Sequence, residues 1–216
     1  MSNFWNDLFS YSIGIAAVIT IFKRKGFDKK FKPFFLFIWM GLLAEIVTTF
    51  FIYNGFSNAV VTNIYVLFEA FLITWQFKKW GLFNKANKWL FTFLLIFLSV
   101  WVIENFIISN IMKFSSYFRI VYSFALVLMS ISMINRIIIT ERKSLIRNPV
   151  FIICLAFIIY FTYKVLLEIF WLYGLNSSRE FRVEVYNIFK YINLFANLIY
   201  ALAILWIPRK REYMLP

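Results

Sequence analysis

Seven long runs of apolar residues, separated by short polar segments, dominate the chain. About 20 consecutive apolar residues form a helix long enough to cross the hydrocarbon core of a bilayer, so each run predicts one transmembrane helix. Pro33 and Pro149 begin the second and sixth runs, at a position where a helix needs no amide donor. The pattern therefore predicts an all-α fold, a polytopic integral membrane bundle of seven transmembrane helices. The runs are residues 4–22, 33–52, 59–77, 89–109, 117–139, 149–172 and 185–207.

The composition leaves no room for a second, water-soluble domain. Hydrophobic residues make up 62% of the 216 residues and charged residues only 15%, against about 25% charged residues in a soluble domain. The hydrophobic fraction is enough for about six or seven spans of about 20 residues each. We therefore interpret residues 1–216 as a single seven-helix transmembrane domain.

Basic residues are distributed unequally between the two sides of the predicted membrane. Of the 23 Lys and Arg residues, 17 lie near or after the ends of the first, third, fifth and seventh runs, whereas the opposite side has only Lys113, Arg119, Arg179 and Arg182. Because cytoplasmic loops are enriched in Lys and Arg, this asymmetry predicts an N-terminus outside and a C-terminus in the cytoplasm. The abundance of Phe, Ile, Asn and Lys is typical of an AT-rich bacterial genome, so we expect a multi-pass protein of the bacterial inner membrane.

The net charge of +13 follows largely from this topology and does not indicate a nucleic-acid partner. Each basic residue at a membrane surface is attracted to anionic lipid headgroups by about 1 kcal/mol. An acidic cytoplasmic protein is an alternative partner for the same loops. The residues predicted to bind lipid headgroups or such a partner are Lys23, Arg24, Lys25, Lys29, Lys30, Lys32, Arg142 and Lys143.

The residues that many enzymes use for catalysis are missing from the sequence. The chain has no His, which excludes His-ligated zinc or haem and every His-based nucleophile or general base. Cys154 is the single Cys, and no nucleotide-binding or hydrolase motif is present. We therefore expect a protein that is not an enzyme and has no cofactor or metal. An intramembrane enzyme in which Glu45 and Glu69 share a proton is a minor alternative.

Polar and ionisable residues recur within the predicted spans at helical spacing. A charge in a spanning helix costs at least about 2.5–3.5 kcal/mol on insertion scales, so such residues are expected to pair, line water or have a function. Residues at i, i+3, i+4 and i+7 share one helix face, and stripes of this kind occur on the second, third, sixth and seventh spans. The predicted ligand-binding or pathway residues are Glu45, Tyr65, Glu69, Lys164, Glu168, Lys190, Asn193 and Asn197.

These stripes are expected to meet in one polar interior that opens outward. Gln76 extends the stripe of the third span, and Glu104 and Arg119 add charges near the outer ends of the fourth and fifth spans. Interhelical hydrogen bonds that only hold the helices together are the alternative interpretation of the same residues.

The sequence favours a membrane protein whose outward-facing polar cavity binds or passes a small solute, an ion or a lipid headgroup, as a channel, transporter or receptor does. In this hypothesis Glu45 and Glu69 meet the ligand or a proton, while Lys164 and Lys190 balance their charge. The alternative is a membrane effector or accessory subunit, for example in a bacterial defence system. Such a subunit forms a pore or disrupts the membrane when a cytoplasmic partner engages its basic loops. Both hypotheses are compatible with a homo-oligomer.

Short similarities between the two halves of the chain suggest an internal repeat. Residues 61–65 read VTNIY and residues 185–189 read VYNIF, and each segment is followed four residues later by a polar residue, Glu69 or Asn193. Two parallel three-helix units joined by the fourth span would produce this 3+1+3 pattern. The layout resembles the seven-helix sugar transporters with a Pro-Gln loop motif in helix count and topology only, because the chain contains no Pro-Gln dipeptide.

Overall fold

The computed structural model describes residues 9, 11–23, 28–83, 87–140, 145–173 and 178–208, which contain helices and turns but no strand. A π-helix, Ile103–Ile108, continues α4, and short 3₁₀ turns precede α2 and α6. This part of the chain confirms the all-α fold. The helices are α1 (Ile13–Lys23), α2 (Lys32–Tyr53), α3 (Ala59–Lys79), α4 (Asn87–Val102), α5 (Ser116–Thr140), α6 (Pro149–Leu172) and α7 (Arg179–Trp206).

Six of the predicted spans are helices that are long and apolar enough to cross a membrane, namely α2, α3, α4 with its π-helical continuation, α5, α6 and α7. The described part of α1 has 11 residues, which at about 1.5 Å per residue is shorter than a full span. The first part of the predicted span over residues 4–22 lies outside the described residues. A seventh full span therefore stays a prediction.

The last helix begins earlier than its apolar run predicts. The run starts at Val185, whereas α7 begins at Arg179. Ser178 accepts a hydrogen bond from Phe181 N at 3.1 Å and so caps the first turn. Polar residues can form this turn because capping, rather than hydrophobicity, determines where the helix starts.

The described helices form a ring with one helix outside it. Around the ring, α1, α2, α3, α5, α6 and α7 pack in this order, and α7 returns to pack against α1. The remaining helix, α4, lies against α3 and α5. The ring therefore has an interior to which the predicted polar faces can turn. The internal repeat stays a prediction.

Basic side chains fasten one end of the bundle. Lys23 donates to Leu205 O at 2.6 Å, which holds the end of α1 beside the end of α7. Arg136 donates to Gly81 O and joins the end of α5 to the turn after α3. These contacts join the end of α1 to that of α7, and the end of α5 to the turn after α3. We call this end, with Lys23, Lys30, Lys79, Arg136 and Arg147, the basic end.

Gln76 belongs to the basic end and not to the polar interior. Its side chain accepts from Phe34 N at 2.8 Å and donates to Lys30 O at 2.7 Å. It therefore satisfies the Phe34 amide, which the start of a helix leaves without a partner, and the Lys30 carbonyl just before α2. The sequence stripe placed Gln76 on the correct face of α3, but its role is to hold α2 and α3 together.

The surface of the bundle is largely apolar. Leu95, Ile107 and Phe124 are among many large hydrophobic side chains that are more than half exposed. Soluble monomers rarely expose contiguous apolar surface of this kind, so the surface fits a lipid environment. Cys154 is fully buried in the core of the bundle. The described structure is thus compatible with a multi-pass membrane protein.

Candidate functional site

A polar cavity of about 210 Å³ lies between helices α2, α3, α5, α6 and α7. Asn58 and Phe114, which precede α3 and α5, form part of its wall, so the cavity lies toward the end of the bundle opposite the basic end. Four charged side chains from three helices, α2, α5 and α6, also line it. They are Glu45, Arg119, Lys164 and Glu168.

A smaller cavity of about 50 Å³ continues toward the middle of the bundle. Both cavities are lined by Glu45, Tyr65 and Tyr160, so these side chains form the boundary between them. The smaller cavity adds Glu69 and the two asparagines of α7. We call the two cavities together the polar cavity. It brings together residues from all the predicted stripes.

Glu69 and Lys164 form a buried ion pair beside the polar cavity. Lys164 Nζ lies 2.9 Å from Glu69 Oε2. Tyr122 donates to the same carboxylate oxygen at 2.5 Å, and Tyr65 donates to Glu69 Oε1 at 3.3 Å. Both oxygens of this carboxylate therefore have protein partners. Within the described part of the chain, Glu45 makes no contact with this carboxylate that would count as a hydrogen bond.

Arg119 and Glu168 form a second ion pair nearer the mouth of the cavity. Arg119 Nη1 lies 2.9 Å from Glu168 Oε1, and Ser116 donates to Glu168 Oε2 at 2.6 Å. The Arg119 guanidinium also lies 4.8 Å from the ring centroid of Phe114. Its Nε and Nη2 atoms are buried and have no hydrogen-bond partner among the described residues. The Arg119 guanidinium is thus neutralised by Glu168, but two of its nitrogen atoms have no acceptor among the described residues.

Glu45 differs from the other carboxylates of the cavity. It lies on α2, is half-buried, and lines both the larger and the smaller cavity. Among the described residues it makes no hydrogen bond and no ion pair. Burying a carboxylate without a partner is costly. Glu45 is therefore the carboxylate of the polar cavity that is available to a ligand, to water or to a proton.

The polar residues of α7 differ in whether they line the smaller cavity, the larger cavity or neither. Asn197 donates to Ser12 Oγ at 2.8 Å and lies 3.5 Å from Asn193 Oδ1, and both asparagines line the smaller cavity. Tyr186 lines the larger cavity. Lys190 is half-buried on the same helix but lines neither cavity. Lys190 is thus the one predicted ligand-binding or pathway residue that is not part of the lining of the polar cavity as described.

A cluster of buried aromatic rings closes the polar cavity toward the basic end. The rings of Phe34, Phe37, Phe157 and Tyr200 lie 5.6–6.3 Å apart between centroids. Phe37 and Tyr200 line the smaller cavity, and all four side chains are almost completely buried. We call these four residues the aromatic floor.

Glu104 does not join the polar cavity, although its position near the outer end of the fourth span suggested that it would. Its two oxygens accept from Tyr117 N at 2.9 Å and from Phe118 N at 2.6 Å. These are amides of the first turn of α5, which has no partners of its own for them. Glu104 is therefore a capping residue for α5.

The sequence analysis missed two residues that complete the ion pairs, Tyr122 and Ser116. Both lie on α5 with Arg119, at spacings of three residues. Residues at this spacing share a helix face, so a polar stripe on the fifth span was present in the sequence. The signal was hidden because Tyr and Ser are also common on faces that have no function.

The basic end contains a wide cleft of about 640 Å³. Lys30, Lys79 and Arg147 line it together with Trp80 and Trp206. The predicted partner residues Lys29 and Lys32 are exposed, whereas the Lys23 ammonium is bonded to carbonyl groups at the end of α7. The other predicted partner residues, Arg24, Lys25, Arg142 and Lys143, lie outside the described residues.

Comparisons with known proteins do not assign a family to the chain: no family model, no curated protein and no solved structure matches it. The described residues contain no group of three or more His, Cys, Asp or Glu side chains that could hold a metal ion.

Proposed function

We propose that the polar cavity binds a small solute, and that the solute enters from the side of the membrane opposite the basic loops. Glu45 carries this proposal, because it lines both cavities and makes no hydrogen bond or ion pair among the described residues. The other two carboxylates of the cavity are satisfied by Lys164 and Arg119. Glu45 is thus the charge left for a ligand or a proton.

The side from which the solute enters follows from the charge of the loops. Loops rich in Lys and Arg face the cytoplasm, and the polar cavity lies toward the opposite end of the bundle. The aromatic floor separates it from the basic end. This closure supports a receptor, or a transporter in its outward-facing state, over an open channel. The proposal includes no catalytic step, cofactor or metal, and it places the protein in the bacterial inner membrane.

Ligand-dependent thermal stabilisation tests this function. The purified protein in lipid nanodiscs is heated with sodium ions, choline, propionate, glycine, γ-aminobutyrate or glucose. A solute that binds only the folded protein stabilises it by about 2.7 kcal/mol at 100 times its Kd. We expect at least one probe to raise the Tm of the native protein and to have no effect on the Glu45→Gln variant.

Glu184→Gln is the matched control, because Glu184 is an exposed carboxylate on α7 that lines neither cavity. It should respond to the same probe as the native protein does. A panel in which no probe raises the Tm would overturn the proposal. So would a probe that stabilises the native protein and the Glu45→Gln variant equally.

The second candidate function is an effector or accessory subunit that a cytoplasmic partner controls. The cleft at the basic end favours it, because Lys30, Lys79 and Arg147 surround two tryptophans in a space of about 640 Å³. A cationic cleft with aromatic walls suits an acidic protein segment. In this function the polar residues of the interior mainly hold the helices together.

Release of an encapsulated dye from liposomes discriminates the two functions. If the protein is a partner-controlled effector, polyglutamate added at the basic side releases the dye. The charge reversals Lys30→Glu and Lys79→Glu should abolish this release, and Glu45→Gln should not. If polyglutamate releases no dye from liposomes that hold the folded protein, the effector function is rejected.

A further inference from the structure

Arg119 lines the polar cavity and has hydrogen-bond donors that no described residue uses. One arm of its guanidinium is bonded to Glu168, while Nε and Nη2 are buried without a partner. Its side chain is only 11% exposed and lines the larger cavity. A planar guanidinium with two free donors suits the two oxygens of a carboxylate or a phosphate. The wall formed by α5 therefore has an anion-binding pole.

Glu45 provides the complementary pole in the same cavity. It lies on α2 and has acceptor oxygens that no described donor uses, whereas Arg119 lies on α5 and has donors that no described acceptor uses. The two residues do not satisfy one another, since neither a hydrogen bond nor an ion pair joins them within the described structure. A ligand that carries both an ammonium and an anionic group would satisfy both.

The remaining walls suit a small ammonium compound. Tyr160, Tyr186 and Phe189 line the larger cavity, and aromatic rings attract cations through their π faces. The protein already uses one of these rings in this way, because the Lys164 ammonium lies 5.3 Å from the ring centroid of Tyr160. The volume of about 210 Å³ is below the ~300–1,000 Å³ of pockets for drug-sized ligands. The ligand must therefore be small.

We propose that the polar cavity binds a small zwitterion, with its ammonium at Glu45 and its anionic group on the free donors of Arg119. This inference rests on the proposed function, because it names the class of solute for the same cavity. Two sources carry this chemistry: free amino acids, and the phosphoethanolamine headgroup of a membrane lipid.

Calorimetric titration of the protein in phosphatidylglycerol nanodiscs tests the class of ligand. The zwitterions glycine and γ-aminobutyrate, which differ in the distance between their charges, are compared with choline and propionate, which carry one charge each. We expect at least one zwitterion to bind at least tenfold more tightly than either single-charge compound. Choline or propionate binding as tightly as the zwitterions would overturn the inference.

Arg119→Lys tests the anion-binding pole without removing the charge that balances Glu168. Lysine keeps an ammonium for the ion pair but lacks the planar fork of donors. We expect this variant to bind the zwitterion at least tenfold more weakly while its Tm stays close to that of the native protein. Arg182→Lys, at an exposed position on α7, is the matched control and should bind normally. Unchanged zwitterion binding by Arg119→Lys would contradict the proposed role of Arg119.

The lipid composition of the nanodiscs distinguishes the two sources. If the natural ligand is a free solute, replacing half of the phosphatidylglycerol with phosphatidylethanolamine leaves the affinity for the zwitterion unchanged. If it is the lipid headgroup, phosphatidylethanolamine competes and lowers the apparent affinity at least tenfold. Should zwitterions fail to bind while sodium ions, choline, propionate or glucose raise the Tm through Glu45, this inference fails and the proposed function stands. If no probe acts through Glu45, both fail.

Discussion

The ammonium of Lys164 lies 2.9 Å from the carboxylate of Glu69, and the two side chains are only 8% and 1% exposed. Ninety-five positions separate them in the chain, so the pair ties α3 to α6 across the ring. An ion pair buried in this way stabilises little compared with apolar residues of the same size, but the loss of one partner leaves an uncompensated charge.

Removing one charge of this pair should therefore destabilise the bundle more than removing both. We expect Glu69→Gln to lower the free energy of unfolding by about 3–5 kcal/mol. The double variant Glu69→Gln with Lys164→Met should recover most of that loss, because the unpaired ammonium is gone. Chemical denaturation in detergent micelles measures both values. Equal losses in the single and the double variant would argue against a coupled pair.

Two buried tyrosines should respond differently to the loss of their hydroxyl groups. The Tyr200 hydroxyl has no hydrogen-bond partner among the described residues, whereas the Tyr122 hydroxyl donates to Glu69 at 2.5 Å. An unsatisfied buried polar group costs about 1–3 kcal/mol. We expect Tyr200→Phe to leave the free energy of unfolding unchanged or to raise it by about 1 kcal/mol.

Tyr122→Phe is the comparison, and it should lower the free energy of unfolding by about 1.5–3 kcal/mol, because its hydroxyl bonds to a charged group. Thermal unfolding under identical conditions measures the stability of both variants. A large loss of stability in Tyr200→Phe would show that its hydroxyl has a partner, such as a bound water or solute in the smaller cavity.

The cap that Glu104 provides for α5 predicts a graded effect of substitution. Its carboxylate accepts from two amides of the first turn. Glu104→Ala removes both acceptors and should cost about 0.5–2 kcal/mol, whereas Glu104→Gln keeps one acceptor and should cost less. Hydrogen exchange of the Tyr117 and Phe118 amides reports the change directly. Equal protection of these amides in the native protein and in Glu104→Ala would exclude the capping role.

Gly41 is a point of close approach between α1 and α2. A Cβ atom built at Gly41 lies 2.5 Å from Ile13 Cδ1 and 3.3 Å from Tyr65 Oη. The first clash involves only the end of a flexible side chain, so we expect Gly41→Ala to cost about 1 kcal/mol, the low end for overpacking. Combination with Ile13→Val, which lacks the clashing methyl group, should restore most of the stability. If Ile13→Val instead adds a further loss, the two positions do not contact as described.

The apolar runs predict the helices well, because hydrophobic length is a property of each segment by itself. The predicted run over residues 149–172 coincides with α6, and the run over residues 59–77 differs from α3 only by the two lysines at its end. The start of α7 was placed six residues too late, because Ser178 extends the helix through capping.

The site was predictable only in part, because helical spacing shows which residues share a face but not which helices are neighbours. The stripes placed Glu69 and Lys164 in the interior, yet nothing in the spacing indicates that they pair. Gln76 extended the stripe of the third span and Glu104 was expected to join the same polar interior, although each satisfies the start of a neighbouring helix. That role depends on how the ends of neighbouring helices meet in three dimensions. A local sequence pattern does not contain this information.

The proposed function requires that the polar cavity is reached from the side of the membrane opposite the basic loops. Thr48 lines the larger cavity, whereas Ile46, half a turn away on α2, is 53% exposed on the surface of the bundle. In a Cys154→Ala background, Thr48→Cys and Ile46→Cys can be treated with a membrane-impermeant thiol reagent from either side of sealed vesicles. We expect Thr48→Cys to react only from the side opposite the basic loops, and Ile46→Cys not to react. Equal reactivity of both cysteines, or reaction of Thr48→Cys only from the basic side, would contradict it.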